Sequence, residues 1–226
     1  MSEIRTYQEW KADYVVAMGK ELGELMAFFW NEMNHLNRCW QNYLTIFDSE
    51  ANLKIANETC PSFFWHYQYM FREHFVISIV RLIEVNTRGQ ASLHKLKELV
   101  DHEECKAKVY ELLDELKFLS KNIIETRSNY YAHYSYKKKI LSRSEKLKGT
   151  SKNDIEIVLK KMSDVVNVVV MHYMDSSTPF FELQDGYGAN GLIVRLAQSD
   201  LFEKLNYNRK LNKQITPEMW DWQARI

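Results

Sequence analysis

The sequence predicts an all-α protein built around a bundle of four or five long helices. Its 226 residues include only 7 glycines and 3 prolines, which leaves little room for the many turns of an all-β sandwich. Apolar residues recur at steps of three and four through long segments, as they do along one face of an α-helix. The sequence contains no internal repeat and no convincing pattern of strands and hairpins. Long helices are therefore expected for most of the chain.

The N-terminal helices are predicted over residues 6–58. The pattern from residue 6 to residue 47 is helical, with an apolar stripe that comprises Leu22, Leu25, Met26, Phe29, Met33, Leu36 and Trp40. Gly19 and Gly23 weaken a helix at this point, so the segment is predicted as one kinked helix or as two. Residues 48–61 are predicted as a connector that carries a short helix.

The core bundle is predicted over about residues 61–175. A helix that Pro61 opens and that continues to residue 85 is apolar almost all round, so we expect it to be central, with its aromatic run 63–71 in the core. The later segments of the bundle are a break at 86–90, a helical stretch from Ser92, a longer helix over 103–131, a polar loop at 140–153 and a helix over 154–175.

A C-terminal helical extension is predicted over residues 187–226. It contains a helix at 192–205 and a short tail helix that Thr216 and Pro217 would start as N-cap and first helical position. We expect residues 1–226 to form a single domain.

Composition narrows the classes of function. The net charge is zero, so no global field points to nucleic acid or membrane and any charge argument must be local. The cysteines Cys39, Cys60 and Cys105 are isolated and odd in number, which argues against a zinc site and a disulfide framework and fits a reducing cytoplasm. The N-terminus lacks the apolar region of a signal peptide, and the longest aliphatic patch, 165–171, is too short for a membrane span. We expect a cytoplasmic protein without membrane contact.

No cofactor is expected. The hexapeptide GYGANG, residues 186–191, matches the G-x-G-x-x-G pattern of dinucleotide-binding loops. That pattern works between a strand and a helix of a parallel sheet, and the preceding PFFELQD is a poor strand. A connector between helices explains these glycines better. No motif for a metal ion is present either.

The segment ETRSNYYAHYSYKKK, residues 125–139, is the strongest candidate for a functional site, because Arg127 and His133 lie at the end of a long helical pattern. A neutral imidazole can accept a proton from a ribose 2′-hydroxyl, and an imidazolium can donate one to a leaving oxygen. A guanidinium offers a rigid fork to phosphate oxygens and stabilises charge that grows at the phosphorus centre. The two groups together suffice for metal-free cleavage of RNA by its own 2′-oxygen.

Helix geometry separates these two residues. Six positions along an ideal α-helix correspond to a rise of about 9 Å and leave the side chains roughly 120° apart. The helix could end or distort near Tyr131, or a second copy of the chain could bring its His133 to this Arg127 across a two-fold axis. Both routes are open.

Basic and aromatic residues surround the pair. Residues 137–152 carry seven basic side chains against one acidic side chain, a local charge of +6. Tyrosines at this helix end could stack on unpaired bases. The predicted RNA-binding residues are Tyr130, Tyr134, Tyr136, Lys137, Lys138, Lys139 and Arg143. The alternative is a solvated helix end, in which the lysines complement the helix dipole and the tyrosines are half buried.

A polar stripe of His74, Ser78 and Arg81 interrupts the apolar helix 61–85. Arg81, with Glu84 three residues further on, is a candidate to support the Arg127 site. The alternative is an ion pair between Arg81 and Glu84 on their own helix. The stripe as a whole predicts a buried polar network or a dimer seam, because buried polar groups need partners.

The Arg-x5-His pattern, with a polar residue after the arginine and an Ala-His ending, resembles the R-x(4–6)-H motif of HEPN domains, the higher eukaryote and prokaryote nucleotide-binding domains. Further segments are similar, in the same order, to the abortive-infection AbiU-like branch of these proteins. They are 18–47, ISIVRLIEV (77–85), ASLHKL (91–96), ETRSNYYAHYS (125–135) and GANGLIVRLAQ (188–198). The resemblance thus covers nearly the whole chain.

The resemblance implies a HEPN-like antiparallel four-helix bundle with additional helices, and a homodimer in which the motif helices meet at the two-fold axis. It implies a metal-independent endoribonuclease acting on single-stranded RNA, in the role of a toxin or phage-defence effector that an antitoxin protein restrains. By motif position, Arg127 stabilises the phosphate and His133 is the acid and base. Ser128 stands where the family commonly has Asn or Asp, and Asn129 follows it, so these two are the expected supporting residues. The alternative is a non-catalytic HEPN-like module that binds a nucleotide, RNA or a partner protein, with Arg127 in a structural role.

Overall fold

The computed structural model describes residues 6–85, 91–132, 150–180 and 188–211; the side chains of residues 130–132, 206 and 208–211 are outside this description. The α-helices in these ranges are α1 (Tyr7–Met18), α2 (Lys20–Phe47), α3 (Glu50–Thr59), α4 (Pro61–Ile83), α5 (Leu96–Leu99), α6 (Glu103–Leu119), α7 (Lys121–Thr126), α8 (Lys152–Met174) and α9 (Ala189–Leu211). A 3₁₀ turn, Leu93–Lys95, precedes α5, and a π-helical turn, Arg127–Ala132, follows α7. The same ranges contain no strand, and the all-α prediction is confirmed.

Two glycines separate α1 from α2 and hold them close together. Gly19 has a φ of 76°, in the left-handed region that glycine adopts without a steric penalty, and it ends α1. A Cβ atom at Gly23 would lie 2.5 Å from the backbone oxygen of Tyr14, so only a residue without a side chain allows this contact between the helices. Of the two predicted possibilities for residues 6–47, the pair of helices is confirmed.

The predicted helix over 103–131 is wrong as a single element, because it is divided at Ser120. This residue has φ −83° and ψ −2°, and its hydroxyl donates to the backbone oxygen of Lys117 at 3.4 Å. Such a bond competes with regular helical bonding. The backbone N–H of Ile124 still donates to the oxygen of Ser120 at 3.0 Å, so helical bonding resumes at once and gives α7.

Contacts divide the chain into two compact units. One comprises residues 1–39 and 69–183, and the other comprises residues 40–68 and 184–226. The boundaries between the units lie inside α2 and α4. The single domain expected over residues 1–226 stays a prediction.

The first unit is the helical bundle that carries the candidate site. Helices α6 and α8 are antiparallel, since Lys161 pairs with Glu115 at 2.6 Å and the Cys105 thiol lies 3.9 Å from the oxygen of Val168. The main buried side chains of this pair are Val109, Leu113, Leu116, Ile155, Val158, Leu159, Met162, Val165, Val166 and Val169. Helices α2 and α4 are antiparallel as well, since Glu32 contacts Arg81 and His35 contacts His74. The predicted HEPN-like antiparallel four-helix bundle is confirmed, with α2, α4, α6 and α8 as its long helices.

The second unit has its own small core. Its buried residues are Ile46, Ala56, Phe64, Ala189 and Ile193, and the Asn42 side-chain oxygen accepts from the backbone N–H of Ala189 at 2.8 Å, which caps the start of α9.

The aromatic run 63–71 does not form a core as a whole, which corrects the expectation for α4. Phe64 and Phe71 are buried, whereas Phe63 and Trp65 are 60% and 64% exposed. Hydrophobicity alone cannot tell which side of a uniformly apolar helix is covered, because that depends on where neighbouring helices lie.

No described helix combines the length and the apolar composition that are needed to cross a bilayer. The thiols of all three cysteines, Cys39, Cys60 and Cys105, are free.

Candidate functional site

Arg127 is the first residue of a π-helical turn. Helix α7 ends at Thr126, and residues Arg127–Ala132 then adopt the wider turn. Turns of this kind, with hydrogen bonds between positions i and i+5, are rare and occur frequently at functional sites. Of the two routes left open by the sequence, a helix distortion near Tyr131 is observed, and it begins at Arg127; the second copy of the chain stays a prediction.

The Arg127 guanidinium pairs with a carboxylate at the end of α4. Its Nη1 atom lies 3.6 Å from Oε1 of Glu84, and the two side chains are 33% and 36% exposed. An ion pair of this exposure contributes about 0–1 kcal/mol, and its separation is longer than a good hydrogen bond. Since a guanidinium carries five N–H donors, Arg127 retains donors for a second anion.

The turn also carries Ser128 and Asn129, both partly exposed. The structure therefore brings Arg127, Ser128, Asn129 and Glu84 together at one place. The backbone of Tyr130 belongs to the same turn, but its side chain is outside the description. The remaining predicted site residues lie outside the described residues: His133, Tyr134, Tyr136, Lys137, Lys138, Lys139 and Arg143.

A pair of threonines joins the two chain segments next to the site. Thr126, which is 7% exposed, donates its hydroxyl hydrogen to the backbone oxygen of Asn122 at 2.8 Å. The Thr150 hydroxyl donates to the Thr126 hydroxyl oxygen at 2.9 Å. Thr150 directly precedes Ser151, which caps α8 in a reciprocal pair of bonds with Asp154. The last residue before Arg127 is thereby fixed to the start of α8.

Arg81 does not pair with Glu84, which corrects the alternative of an ion pair within α4. Its Nη2 atom instead donates to Oε2 of Glu32 on α2 at 3.1 Å, while Glu84 faces Arg127. On the same side of α4, the His74 ring lies 6.4 Å from the His35 ring of α2. Arg81 and His74 are exposed, so only Ser78 of the stripe is buried. The stripe is a largely exposed polar contact between α2 and α4.

A second group of titratable side chains lies between α6 and α8 and has a structural explanation. The Tyr173 hydroxyl donates to Asp101. Burial, followed by this bond, raises the pKa of Tyr173 to about 12, and the same bond lowers the pKa of the Asp101 carboxyl. Burial raises the pKa of the Cys105 thiol, which makes it a poor nucleophile.

Within the described ranges, no three His, Cys, Asp or Glu residues form a group that could hold a metal ion.

Glu32 and its neighbours on α2 were missed by reasoning from the sequence. A signal was present, because pairs of polar residues at 31–32, 34–35 and 37–38 alternate with the buried Met33 and Leu36 of this helix. Apolar periodicity directs attention to the buried face, and the polar residues of this run, of which only Asn37 is buried, were not considered as a surface.

The described helices form an all-α, HEPN-like fold. The family model HEPN_AbiU2, described as AbiU2, matches residues 19–191, which is 173 of the 226 residues. The chain belongs to this AbiU2 family of HEPN proteins. No curated protein matches it, and no solved structure matches it. Membership of the family indicates a HEPN-type toxin or defence module.

Proposed function

We propose that the protein is a metal-independent endoribonuclease of HEPN type that cleaves single-stranded RNA, acting as a toxin or abortive-infection effector. The observation that carries the proposal is the state of Arg127, which is partly exposed, weakly paired and placed at the first residue of the π-helical turn. Family membership supports the class of protein. The target RNA and any antitoxin protein that restrains the toxin belong to the same proposal.

Arg127 would bind the phosphate that is cleaved and His133 would move the protons. The imidazole takes the proton of the ribose 2′-hydroxyl, the 2′-oxygen attacks the phosphorus, and the bond to the 5′-oxygen of the next nucleotide breaks. That oxygen receives a proton, so the products are a 2′,3′-cyclic phosphate and a 5′-hydroxyl. The guanidinium stabilises the charge that develops at phosphorus.

A homodimer completes this proposed site. Six positions along an α-helix give a net rotation of about 240°, which is the separation of about 120° between the two side chains. One extra residue in a turn, as in a π-helical turn, changes the net rotation to about 140°. Neither ideal geometry aligns positions 127 and 133 within one chain. A two-fold axis beside the turn would instead set each Arg127 against the His133 of the other subunit.

The test is cleavage of RNA by the purified protein in the presence of EDTA. We expect cleavage that survives the chelator and decreases about 10²–10⁴-fold in His133→Ala, with a loss in Arg127→Ala as well. Arg72→Ala is the matched control, because Arg72 is an exposed arginine on α4 that takes no part in the proposed chemistry. RNA that stays intact with wild-type protein would overturn the proposal.

Mixing the two inactive variants tests the dimer separately. Half of the randomly paired dimers are mixed and each mixed dimer has one intact site, so about a quarter of the wild-type activity should return. A mixture that stays inactive, although each variant is folded and dimeric, would place both groups in one chain and leave the endoribonuclease proposal standing.

A second function is favoured by the Arg127–Glu84 pair itself. The same contact holds the end of α4 against the π-helical turn, as a purely structural arginine would. The alternative is therefore a non-catalytic HEPN module that binds a nucleotide, RNA or a partner protein. Intact RNA together with a measurable RNA complex would support this alternative.

A further inference from the structure

The second half of α9 carries apolar side chains that are exposed to water. The first half of this helix packs with Ala189 and Ile193 against the small core of the second unit. Further along, Leu201, Phe202 and Leu205 are 58%, 60% and 49% exposed. Exposed apolar surface of this kind often marks a place where another element binds. The family match ends at residue 191, so neither it nor the proposed chemistry assigns a role to these residues.

Helix α9 turns a polar side towards α3 at the same level. Asp200 and Lys204 pair at 2.6 Å, and the bond with Asp200, with a smaller contribution from the charge of Glu58 on α3, raises the pKa of Lys204. Asp200 and Lys204 lie within about 20° of Ile193 around the helix axis, whereas the three exposed apolar residues lie about 80–180° from it. The apolar face of α9 therefore changes sides about halfway along the helix, which indicates a second neighbour.

Fifteen residues follow α9 and contain apolar side chains that match this surface. They are residues 212–226, where the sequence predicts a tail helix that Thr216 and Pro217 start; this prediction lies outside the described residues. Ile215 and Trp220 stand at the positions N′ and N4 of a hydrophobic staple, which fixes the direction in which the chain enters the helix. The residues that recur at steps of three and four, and so give the tail helix one apolar face, are Met219, Trp222 and Ile226.

The length of the connection favours a return along α9. Five residues, 212–216, separate the end of α9 at Leu211 from Pro217. Loops of about two to five residues join the antiparallel helices of αα-hairpins. The ten residues 217–226 would form a helix of about 15 Å, which can cover only the second half of α9.

Counting back from the loop shows which positions would face each other. With Pro217 beside Leu211, Ile226 comes level with Phe202, and Trp222 lies next to the level of Leu205. The chain thus ends where the exposed apolar face of α9 begins. Leu192, which is 43% exposed on the same helix, lies about 15 Å beyond this reach.

We propose that residues 212–226 bind to the face formed by Leu201, Phe202 and Leu205, the α9 face, as an antiparallel helix that covers it with Trp222 and Ile226. The short tether gives this segment an effective concentration on the order of millimolar. That concentration favours it over a second copy of the chain and over a separate partner protein. The inference does not rest on the proposed endoribonuclease activity.

Thermal unfolding of the full chain measures the contact as a double-mutant cycle. Leu205→Ala and Trp222→Ala should each lower Tm by about 2–4 °C, because each removes one side of the same apolar contact. The double variant should then unfold close to the Tm of the single variants, not at the sum of the two shifts. Leu192→Ala is the matched control, because it changes a similarly exposed leucine of α9 beyond the reach of the tail. Its effect should add to that of Trp222→Ala.

A disulfide test identifies the chain to which the bound segment belongs. In a protein whose native cysteines are replaced by alanine, Leu205→Cys is combined with Gln223→Cys, two positions that are level with each other in the hairpin. A disulfide needs Cα atoms within about 7 Å, so oxidation should give a bond within one chain, as mass spectrometry and non-reducing electrophoresis would show. Leu192→Cys combined with Gln223→Cys should not give this bond.

The outcomes separate the possible occupants of the α9 face. Coupling between Leu205 and Trp222 together with a disulfide within one chain supports the inference. Additive shifts in Tm without such a disulfide overturn it. A disulfide between two chains, with coupling that increases with protein concentration, identifies a second copy on the α9 face and also overturns it. None of these outcomes depends on cleavage of RNA, so the proposed function stands or fails separately.

Discussion

Replacing Thr126 with valine should destabilise the protein, because it removes the contact between the end of α7 and the start of α8. Valine keeps the shape of the side chain but loses the bonds to Asn122 and Thr150, at 2.8 and 2.9 Å. The Asn122 oxygen already accepts a regular helical bond, so the larger loss is the bond from Thr150. A net intramolecular hydrogen bond contributes about 1 kcal/mol, and we expect the free energy of unfolding to fall by that amount. For a chain of this size, Tm should fall by about 2–4 °C.

Circular dichroism during urea and thermal unfolding measures this change. Thr45→Val is the matched control, because the Thr45 hydroxyl is partly buried and donates to the Gln41 oxygen at 2.8 Å, which reproduces the helical bond without the bond to Thr150. The difference between the two variants isolates the Thr126–Thr150 contact. The double variant with Thr150→Val should show a coupling of about 1 kcal/mol. Equal effects of Thr126→Val and Thr45→Val, or strict additivity in the double variant, would refute the reasoning.

Three further changes test other parts of the structure. Gly23→Ala should destabilise the protein in urea, because the close backbone contact costs about 1–3 kcal/mol and outweighs the gain of about 1 kcal/mol in helix propensity; a more stable variant would contradict this. Tyr173→Phe should lose stability near neutral pH. The pKa of Asp101 is lowered in the folded state, so its ionised carboxylate stabilises the fold above the unfolded pKa of about 3.9, and this contribution is lost as the pH falls through the folded pKa. The difference in stability between Tyr173→Phe and the wild type should therefore disappear in acid. A difference that does not change with pH would contradict this prediction. Maleimide should label the exposed Cys60 rapidly and the buried Cys105 only after unfolding, as mass spectrometry would show.

The sequence located most of the long helices, because local rules govern them. Apolar spacing located α2, α4 and α8, and Gly19 marked the division between α1 and α2. The break at Ser120 and the π-helical turn at Arg127 could not be read in this way, because the residues around them are compatible with a continuous helix. The hydroxyl of Ser120 bonds to the oxygen of Lys117, and Thr126, beside the π-helical turn, bonds to Thr150; apolar spacing reveals neither bond.

The position of the candidate site could be predicted from the sequence, but the ion pairs around it could not, and its chemistry stays a prediction. The residue type and position of Arg127 indicated a phosphate-binding group. Arg81 and Glu84 were predicted either to support the Arg127 site or to pair with each other, because local spacing reveals local pairs. In the structure Arg81 reaches Glu32, 49 positions distant, and this leaves Glu84 for Arg127. Which of several possible ion pairs forms depends on how helices are placed, and spacing does not encode that.

The Glu84 carboxylate would compete with an RNA phosphate for Arg127, and the magnitudes decide the outcome. A pair at 3.6 Å with both side chains about one third exposed contributes at most about 1 kcal/mol, which weakens phosphate binding by at most about fivefold. A hydrogen bond to a charged group contributes about 1.5–3 kcal/mol, and a guanidinium can form two with one phosphate. Under the proposed function, a phosphate would therefore displace Glu84. The carboxylate would hold the guanidinium at the π-helical turn in the absence of RNA and would be too weak a ligand to compete with the phosphate.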